Sequence, residues 1–291
     1  MNLQQAQQEL RSQLSVLYEP REAATIADWV MEKITGRKKT DRLVHKQDLL
    51  SGSQLETWNT YKAELLTHRP VQYVLGESWW GGMKFYVDEN VLIPRPETEE
   101  LVDWIVEEFG PGNASPALSL LDVGTGSGCI AIALQKKLSR ISGAGPTVYA
   151  IDRSEQALSI ARRNAVANDA VIGFRQTDFL DSLQWEGLPA IHVLVSNPPY
   201  IPAREKQSMS PHVTAFEPHL ALFVEDDDAL IFYKALACFA KQRLLAGGSI
   251  FVEIHEDLGP GVLQVFRNNG FAELTLKKDL QGKDRMIKAT R

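Results

Sequence analysis

Two cysteines in 291 residues are too few for a disulfide framework, and they stand at no zinc-binding spacing. Cys129 and Cys238 both lie among small and apolar residues, so both are expected to be reduced core fillers. No apolar run approaches the ~20 residues that cross a bilayer. The opening stretch MNLQQAQQELRSQL lacks the apolar segment of a secretory signal. Positive charge is also scarce: the formal net charge is −6, without the basic footprint of a protein that grips nucleic acid. The six histidines pair with no cysteine or carboxylate at ligand spacing, so no metal site is expected. These absences point to a cytoplasmic chain with neither membrane nor nucleic acid as a direct partner.

What is present is ordinary globular composition, 44% hydrophobic and 23% charged, in a length that suits one large domain and one small one. The first ~75 residues carry helical periodicity. Leu3, Leu10, Leu14 and Leu17 share one face. Pro20 opens a second helix bearing Ile26, Trp29, Val30 and Ile34, and Gly36 stops it. Ser53 with Glu56 has the spacing of a capping box ahead of Trp58, Tyr61 and Leu65. Short aromatic and β-branched runs from Gly76 to Ile93, broken by Gly81-Gly82, predict a β-hairpin. Pro96 can begin a helix, with Glu97, Glu99 and Glu100 near its positive end. Strands and helices then alternate to the C-terminus, which predicts a largely parallel sheet covered on both faces. The last two strands have no helix between them, so at least one is expected to run antiparallel.

Chemistry gathers in two clusters at strand ends. Leu121-Asp122-Val123-Gly124-Thr125-Gly126-Ser127-Gly128 joins the first strand of the sheet to its helix. Its glycines permit a tight turn and close approach of a ligand. The spacing G-x-G-x-G differs from the dinucleotide fingerprint, and no Lys-Ser/Thr follows as in a phosphate-binding P-loop. Asp152 ends the next strand, where an acid can accept both hydroxyls of a ribose. The loop and Asp152 together resemble the nucleoside-binding half of class I methyltransferases, whose cofactor is S-adenosylmethionine. Phe179 stands where that class stacks on adenine, and a plain core role fits it equally well.

The second cluster is Asn197-Pro198-Pro199-Tyr200, closing the fourth strand after Ser196. An amide nitrogen is not basic, so an enzyme that methylates it must orient the nitrogen and give its two protons acceptors. The Asn197 side-chain oxygen and the Pro198 carbonyl can serve. Prolines 198 and 199 remove competing backbone donors and stiffen the loop. Tyr200 can wall a flat group. Such chemistry needs positioning more than a general base. Asn197, Pro198 and Tyr200 are therefore the candidate catalytic residues.

Asn-Pro-Pro-Tyr alone leaves the acceptor open among DNA, ribosomal RNA and protein glutamine methyltransferases. The wider pattern narrows it. Pro70-Val71-Gln72-Tyr73-Val74-Leu75-Gly76, Val91-Leu92-Ile93-Pro94-Arg95-Pro96-Glu97-Thr98-Glu99, the glycine loop, the tetrad with Ile201, Glu217-Pro218 and Gly282-Lys283-Asp284-Arg285 together resemble the release-factor glutamine methyltransferase family. The resemblance implies an α/β fold: a Rossmann-like class I methyltransferase domain with a seven-stranded sheet (96–291), preceded by a small helical substrate-docking domain (1–75) and a β-hairpin linker (76–95). It implies S-adenosylmethionine as cofactor, with S-adenosylhomocysteine as product, held by Gly124, Thr125, Gly126, Ser127, Gly128, Asp152, Phe179 and Asn197. It implies as substrate the glutamine of the Gly-Gly-Gln loop in class 1 peptide chain release factors, met by Asn197, Pro198, Pro199 and Tyr200. The competing readings are a glutamine methyltransferase of a ribosomal protein, a nucleic-acid amino-methyltransferase, and a non-catalytic binding protein that keeps the fold.

Overall fold

Leucine spacing and proline and glycine punctuation set out the first helices. The structure, a computed structural model, describes residues 1–110, 118–142, 145–209, 211–226 and 228–291. Helix α1 (Leu3–Leu14) buries Leu3, Ala6, Leu10 and Leu14, while Leu17 falls in the turn beyond it. Helix α2 (Pro20–Thr35) starts on Pro20 and stops at Gly36, whose φ of 66° suits glycine. Ile26 and Val30 face inward, but Trp29 is exposed. Helices α3 (Lys39–Val44), α4 (Gly52–Leu65) and α5 (Val71–Leu75) complete the helical region. The capping box of α4 is not Ser53 with Glu56 but Ser51 with Gln54, each side chain accepting the other's backbone N–H. Leu50 is buried, so the chain turns into the helix directly after it and Ser53 already lies in the first turn. Helices α1, α2, α4 and α5 share one apolar cluster, to which α3 contributes no side chain. Residues 1–77 and 210–216 form one compact unit, and 78–209 with 217–291 form a second.

The second unit opens with the expected hairpin, β1 (Ser78–Trp80) antiparallel to β2 (Met83–Phe85). Gly81 and Gly82 turn it at φ of 57° and 72°. Residues 86–95 then run without regular structure to α6 (Pro96–Phe109). The remaining elements along the chain are β3 (Ser119–Val123), α7 (Cys129–Ser142), β4 (Thr147–Asp152), α8 (Glu155–Ala167), β5 (Ile172–Gln176), β6 (Ile191–Ser196), β7 (Ile201–Pro202), α9 (Pro211–Phe216), which belongs to the first unit, α10 (His219–Leu222), β8 (Phe223–Val224), α11 (Ile231–Arg243), β9 (Leu244–Glu253), α12 (Gly259–Asn268), β10 (Glu273–Lys278) and β11 (Asp284–Thr290). Seven strands form one sheet in the order β10-β11-β9-β6-β3-β4-β5. Only β11 runs against its neighbours β9 and β10; the other adjacent pairs are parallel.

Alternation along the strands fills both faces. Leu120, Val193, Val195 and Phe251 meet α6 and α7 on one side. Leu121, Leu194, Ile250 and Val252 meet α11 and α12 on the other. Each fully buried aliphatic side chain contributes roughly 1.5–3 kcal/mol, so both helical layers are needed to hold the sheet. Strand β9 begins at Leu244, earlier than the run from Ser249 suggests, because a register shift against β6 takes up residues 244–248. Cys129 is buried, and burial pushes its thiol up to about 12. Cys238 is exposed, contrary to expectation. The inward face of α11 is taken by Tyr233, Leu236, Ala237 and Ala240, which leaves position 238 facing out.

Candidate active site

From β3 the chain moves outward through β4 to β5, then returns to the opposite side of β3 as β6. That reversal makes a crevice at the strands' carboxyl ends, where folds of this class bind ligands. Val123 pairs with Ser196 in register, and Ser196 Oγ donates to the Val123 carbonyl at 2.7 Å. The glycine loop and the tetrad are thereby locked side by side. A cavity of about 590 Å³ opens there, lined by Gly124, Gly126, Asp152, Phe179, Asn197, Pro198 and Pro199 among others. Its size is that of a small-molecule site.

The three loop glycines have different roles. Gly124, Gly126 and Gly128 take φ values of 73°, 53° and 83°. A Cβ at 124 or 126 would meet nothing within 4 Å, whereas at 128 it would sit 3.1 Å from Ala161 Cβ and 3.2 Å from Ile132 Cδ1. The first two open onto the cavity and the third lets the loop pack on α8. Thr125 and Ser127 are buried and shape the loop from behind. Thr125 Oγ1 donates to Asp122 Oδ2 at 2.6 Å, and Asn164 Nδ2 donates to the Ser127 carbonyl at 2.9 Å. Of the five loop residues expected at the cofactor, Gly124 and Gly126 line the cavity, and Thr125, Ser127 and Gly128 do not.

Asp152 grips the loop. Its Oδ2 accepts the Gly126 N–H and its Oδ1 the Ser154 N–H, both at 2.9 Å. Ser154 Oγ itself caps α8. Burial raises the Asp152 pKa, opposed by those backbone donors, and each carboxylate oxygen keeps acceptor capacity for a further hydroxyl. Phe179 lines the cavity while its ring packs against Trp185 and Phe239, centroids 5.5 and 5.4 Å away. Behind the loop, Asp122 Oδ1 is buried with no hydrogen-bond partner among the described residues. Burial pushes the Asp122 carboxyl up to about 7, against the pull of its Thr125 and Ala131 bonds.

In the tetrad, Asn197 Nδ2 donates to Thr98 Oγ1 at 3.0 Å. No described residue donates to Asn197 Oδ1, and Asn197 lines the cavity. Tyr200 is placed otherwise than as a wall of this cavity. It is absent from the lining, its ring packs against the α11 side of the core, and its hydroxyl donates to Glu253 Oε1 at 3.1 Å. Burial, with the Glu253 charge, raises the Tyr200 pKa, so it serves as a donor.

Sequence reading missed four contributors. Glu217, buried, accepts from Ile93 N at 3.2 Å and Arg95 Nη2 at 2.6 Å, tying the segment before Pro96 to the loop that ends at Pro218. Asn164, wholly buried in α8, holds Tyr86 N–H as well as the glycine loop. Thr98 and Glu253 sit behind Asn197. Glu217-Pro218 and Thr98 fell inside recognised runs, but nothing local marks Asn164 or Glu253. Among the described residues no cluster of three or more His, Cys, Asp or Glu could hold a metal, and no helix is long and apolar enough to cross a membrane.

Residues 3–76 match the family described as PrmC N-terminal domain, and residues 110–215 the one described as Methyltransferase small domain. A release factor glutamine methyltransferase of Flavobacterium psychrophilum is 41% identical over 94% of this chain and 94% of its own. Its namesake in Bacteroides thetaiotaomicron is 37% identical over 97% of this chain and 98% of its own. In fold, the catalytic domain of hMettl16, solved in complex with MAT2A 3′UTR hairpin 6, aligns with a TM-score of 0.55 at 14% identity, covering 82% of this chain and 81% of that one.

Proposed function

The chain belongs to the release factor glutamine methyltransferase family, and on that premise we propose that it transfers a methyl group from S-adenosylmethionine to the side-chain amide nitrogen of the glutamine in the Gly-Gly-Gln loop of class 1 peptide chain release factors. The observation that carries this reading is the Asn197 amide. Its nitrogen is tied back to Thr98 and its oxygen is left for a partner in the cavity. A primary amide offers two N–H donors. Asn197 Oδ1 accepts one and the Pro198 carbonyl the other, which aims the nitrogen lone pair across the cavity. Pro198 and Pro199 present no competing N–H.

The residues present fit the cofactor. Gly124 and Gly126 leave open the space that a Cβ would fill, and Asp152 keeps acceptor capacity for a ribose diol. Phe179 lines the cavity wall. When bound, the cofactor would supply a sulfonium-activated methyl group and leave as S-adenosylhomocysteine, and as the new N–C bond forms one of the two amide protons is lost to water. The protein's share of the rate is then positioning, which can supply several kcal/mol of a two-substrate barrier. Such a substrate sets the reaction in the cytoplasm. The helical region 1–75 carries no catalytic cluster, and its role in this reading is to dock the release factor. A chain beginning near Gly76 that methylated intact release factor at the full rate would rule that role out.

The deciding experiment incubates the purified chain with methyl-labelled S-adenosylmethionine and a release factor, beside a Gly-Gly-Gln→Gly-Gly-Ala factor. Label on the wild-type factor alone is the expected result. No label on either, with cofactor still bound by calorimetry, overturns the substrate assignment and turns attention to ribosomal-protein and nucleic-acid acceptors.

A further inference from the structure

Glu253 is a carboxylate that the reaction above does not use. It is 2% exposed and forms no direct ion pair among the described residues. Its Oε2 accepts the Thr98 hydroxyl at 2.6 Å, and its Oε1 accepts the Tyr200 hydroxyl at 3.1 Å. Tyr233 donates to its backbone carbonyl at 3.0 Å. Burying a carboxylate is expensive unless donors compensate it. Burial pushes its pKa up, while the Thr98 and Tyr200 bonds and the charge of Arg285 pull it back. Arg285 is itself held by Asp279 at 3.1 Å.

The direction of these bonds matters. Thr98 donates its single proton to Glu253 Oε2, as an ionised carboxylate, which only accepts, requires. Thr98 Oγ1 then has only lone pairs to offer Asn197. Of the two ends of the Asn197 amide, only the NH₂ can meet lone pairs, so the oxygen turns to the cavity. An asparagine without such a neighbour has two amide orientations of similar shape, and one of them would present the wrong end to an incoming N–H donor.

We propose that Thr98 and Glu253 are positioning residues for methyl transfer: a one-way hydrogen-bond relay, Asn197 to Thr98 to Glu253, that fixes the Asn197 amide with its oxygen toward the acceptor nitrogen. This rests on the reading of Asn197 given above. Thr98→Val keeps the shape and removes the relay. Thr98→Ser keeps the hydroxyl.

The test uses the full chain, with release factor and S-adenosylmethionine. Thr98→Val is expected to lower kcat at least about 30-fold, somewhat less than the ~10²–10³ lost with a hydrogen bond made directly to the reacting group. Its cofactor Kd and its KM for release factor stay within about threefold, and Thr98→Ser recovers most of kcat. A folded Thr98→Val with kcat within threefold of wild type overturns the relay, and so does a Thr98→Ser as impaired as Thr98→Val, which would mark a packing role. If Thr98→Val does not fold, reversing the relay decides. Asn197→Asp places lone pairs against lone pairs and should be nearly inactive. Adding Glu253→Gln lets the hydroxyl of Thr98 turn round and donate to the new carboxylate, so the double variant should exceed Asn197→Asp at least about fivefold. No gain overturns the proposal. Hydrogen exchange of the Asn197 side-chain NH₂, slowed in the wild type and in Thr98→Ser, tests the relay without substrate. Rapid exchange in the wild type would overturn the relay even if the release factor is methylated, and a failure to methylate the factor with slow exchange would sink the substrate reading alone.

Discussion

Gly126 and Gly128 stand two residues apart at positive φ, yet alanine should fail differently at each. Any Cβ in that backbone region strains the chain by about 1–2 kcal/mol, so both variants share that term. At 128 the added methyl also meets Ala161 Cβ at 3.1 Å, Ile132 Cδ1 at 3.2 Å and Ala161 Cα at 3.3 Å. Ile132 can rotate, but the α8 backbone behind Ala161 cannot, and overpacking of this kind costs about 1–3 kcal/mol more. At 126 the methyl enters open space that lines the cavity. For a domain of this size about 1 kcal/mol corresponds to roughly 2–4 °C in Tm. Gly128→Ala should therefore melt roughly 5 °C below Gly126→Ala, while its cofactor Kd stays within about threefold of wild type. Gly126→Ala should bind S-adenosylmethionine at least about tenfold more weakly. Differential scanning calorimetry and titration calorimetry on the same samples read both quantities. Equal melting temperatures, or the larger affinity loss at 128, would refute this division of the loop.

Asn197→Ala removes the oriented acceptor and should lower kcat by about 10²–10³ while leaving a cooperative melt; turnover near normal in a methylation assay counts against its role. Asp122 gives a pH signature. Its carboxyl is raised to about 7 in the folded chain from about 4 unfolded, so its contribution is full below pH ~4 and is lost as pH rises through ~7. At about 1.4 kcal/mol per pH unit, the wild type should lose roughly 2–3 kcal/mol relative to Asp122→Asn between pH 5 and pH 7, read by urea unfolding. Parallel pH profiles would contradict this. Glu217→Ala strips the Ile93 N–H and Arg95 of their shared partner and should destabilise by about 1–3 kcal/mol; a melt unchanged within a degree would show that water replaces the carboxylate freely.

Much of this was written locally. Pro20, Gly36, Gly81-Gly82 and Pro96 fix backbone angles by their own covalent structure, and the elements they bracket fall where expected. Alternation such as Leu120/Leu121 identified strands buried on both faces. Where two serines competed for one cap, the burial of Leu50 decided for Ser51, and burial is not local information. The loop motif showed that glycines were needed. It did not show that Gly128 answers to Ala161 while Gly126 answers to a ligand. Tyr200 reads as a wall because aromatic rings usually serve so beside flat groups; here its hydroxyl is claimed by Glu253, which lies 53 residues downstream at the end of β9, the strand beside β6.

The reversal at β3 has a consequence during synthesis. Val123 cannot meet Ser196 until the intervening chain has been made. At about 5–20 residues per second that takes roughly 4–15 s. Through that interval β3 can pair with β4 on one edge but presents a bare row of N–H and C=O groups on the other, flanked by Leu120 and Leu121. Such an edge is a template for pairing with any passing strand. The arrangement that later opens a ligand crevice thus makes the half-made chain most adhesive at its centre, and the nascent chain is most in need of a chaperone between the emergence of β3 and the arrival of β6.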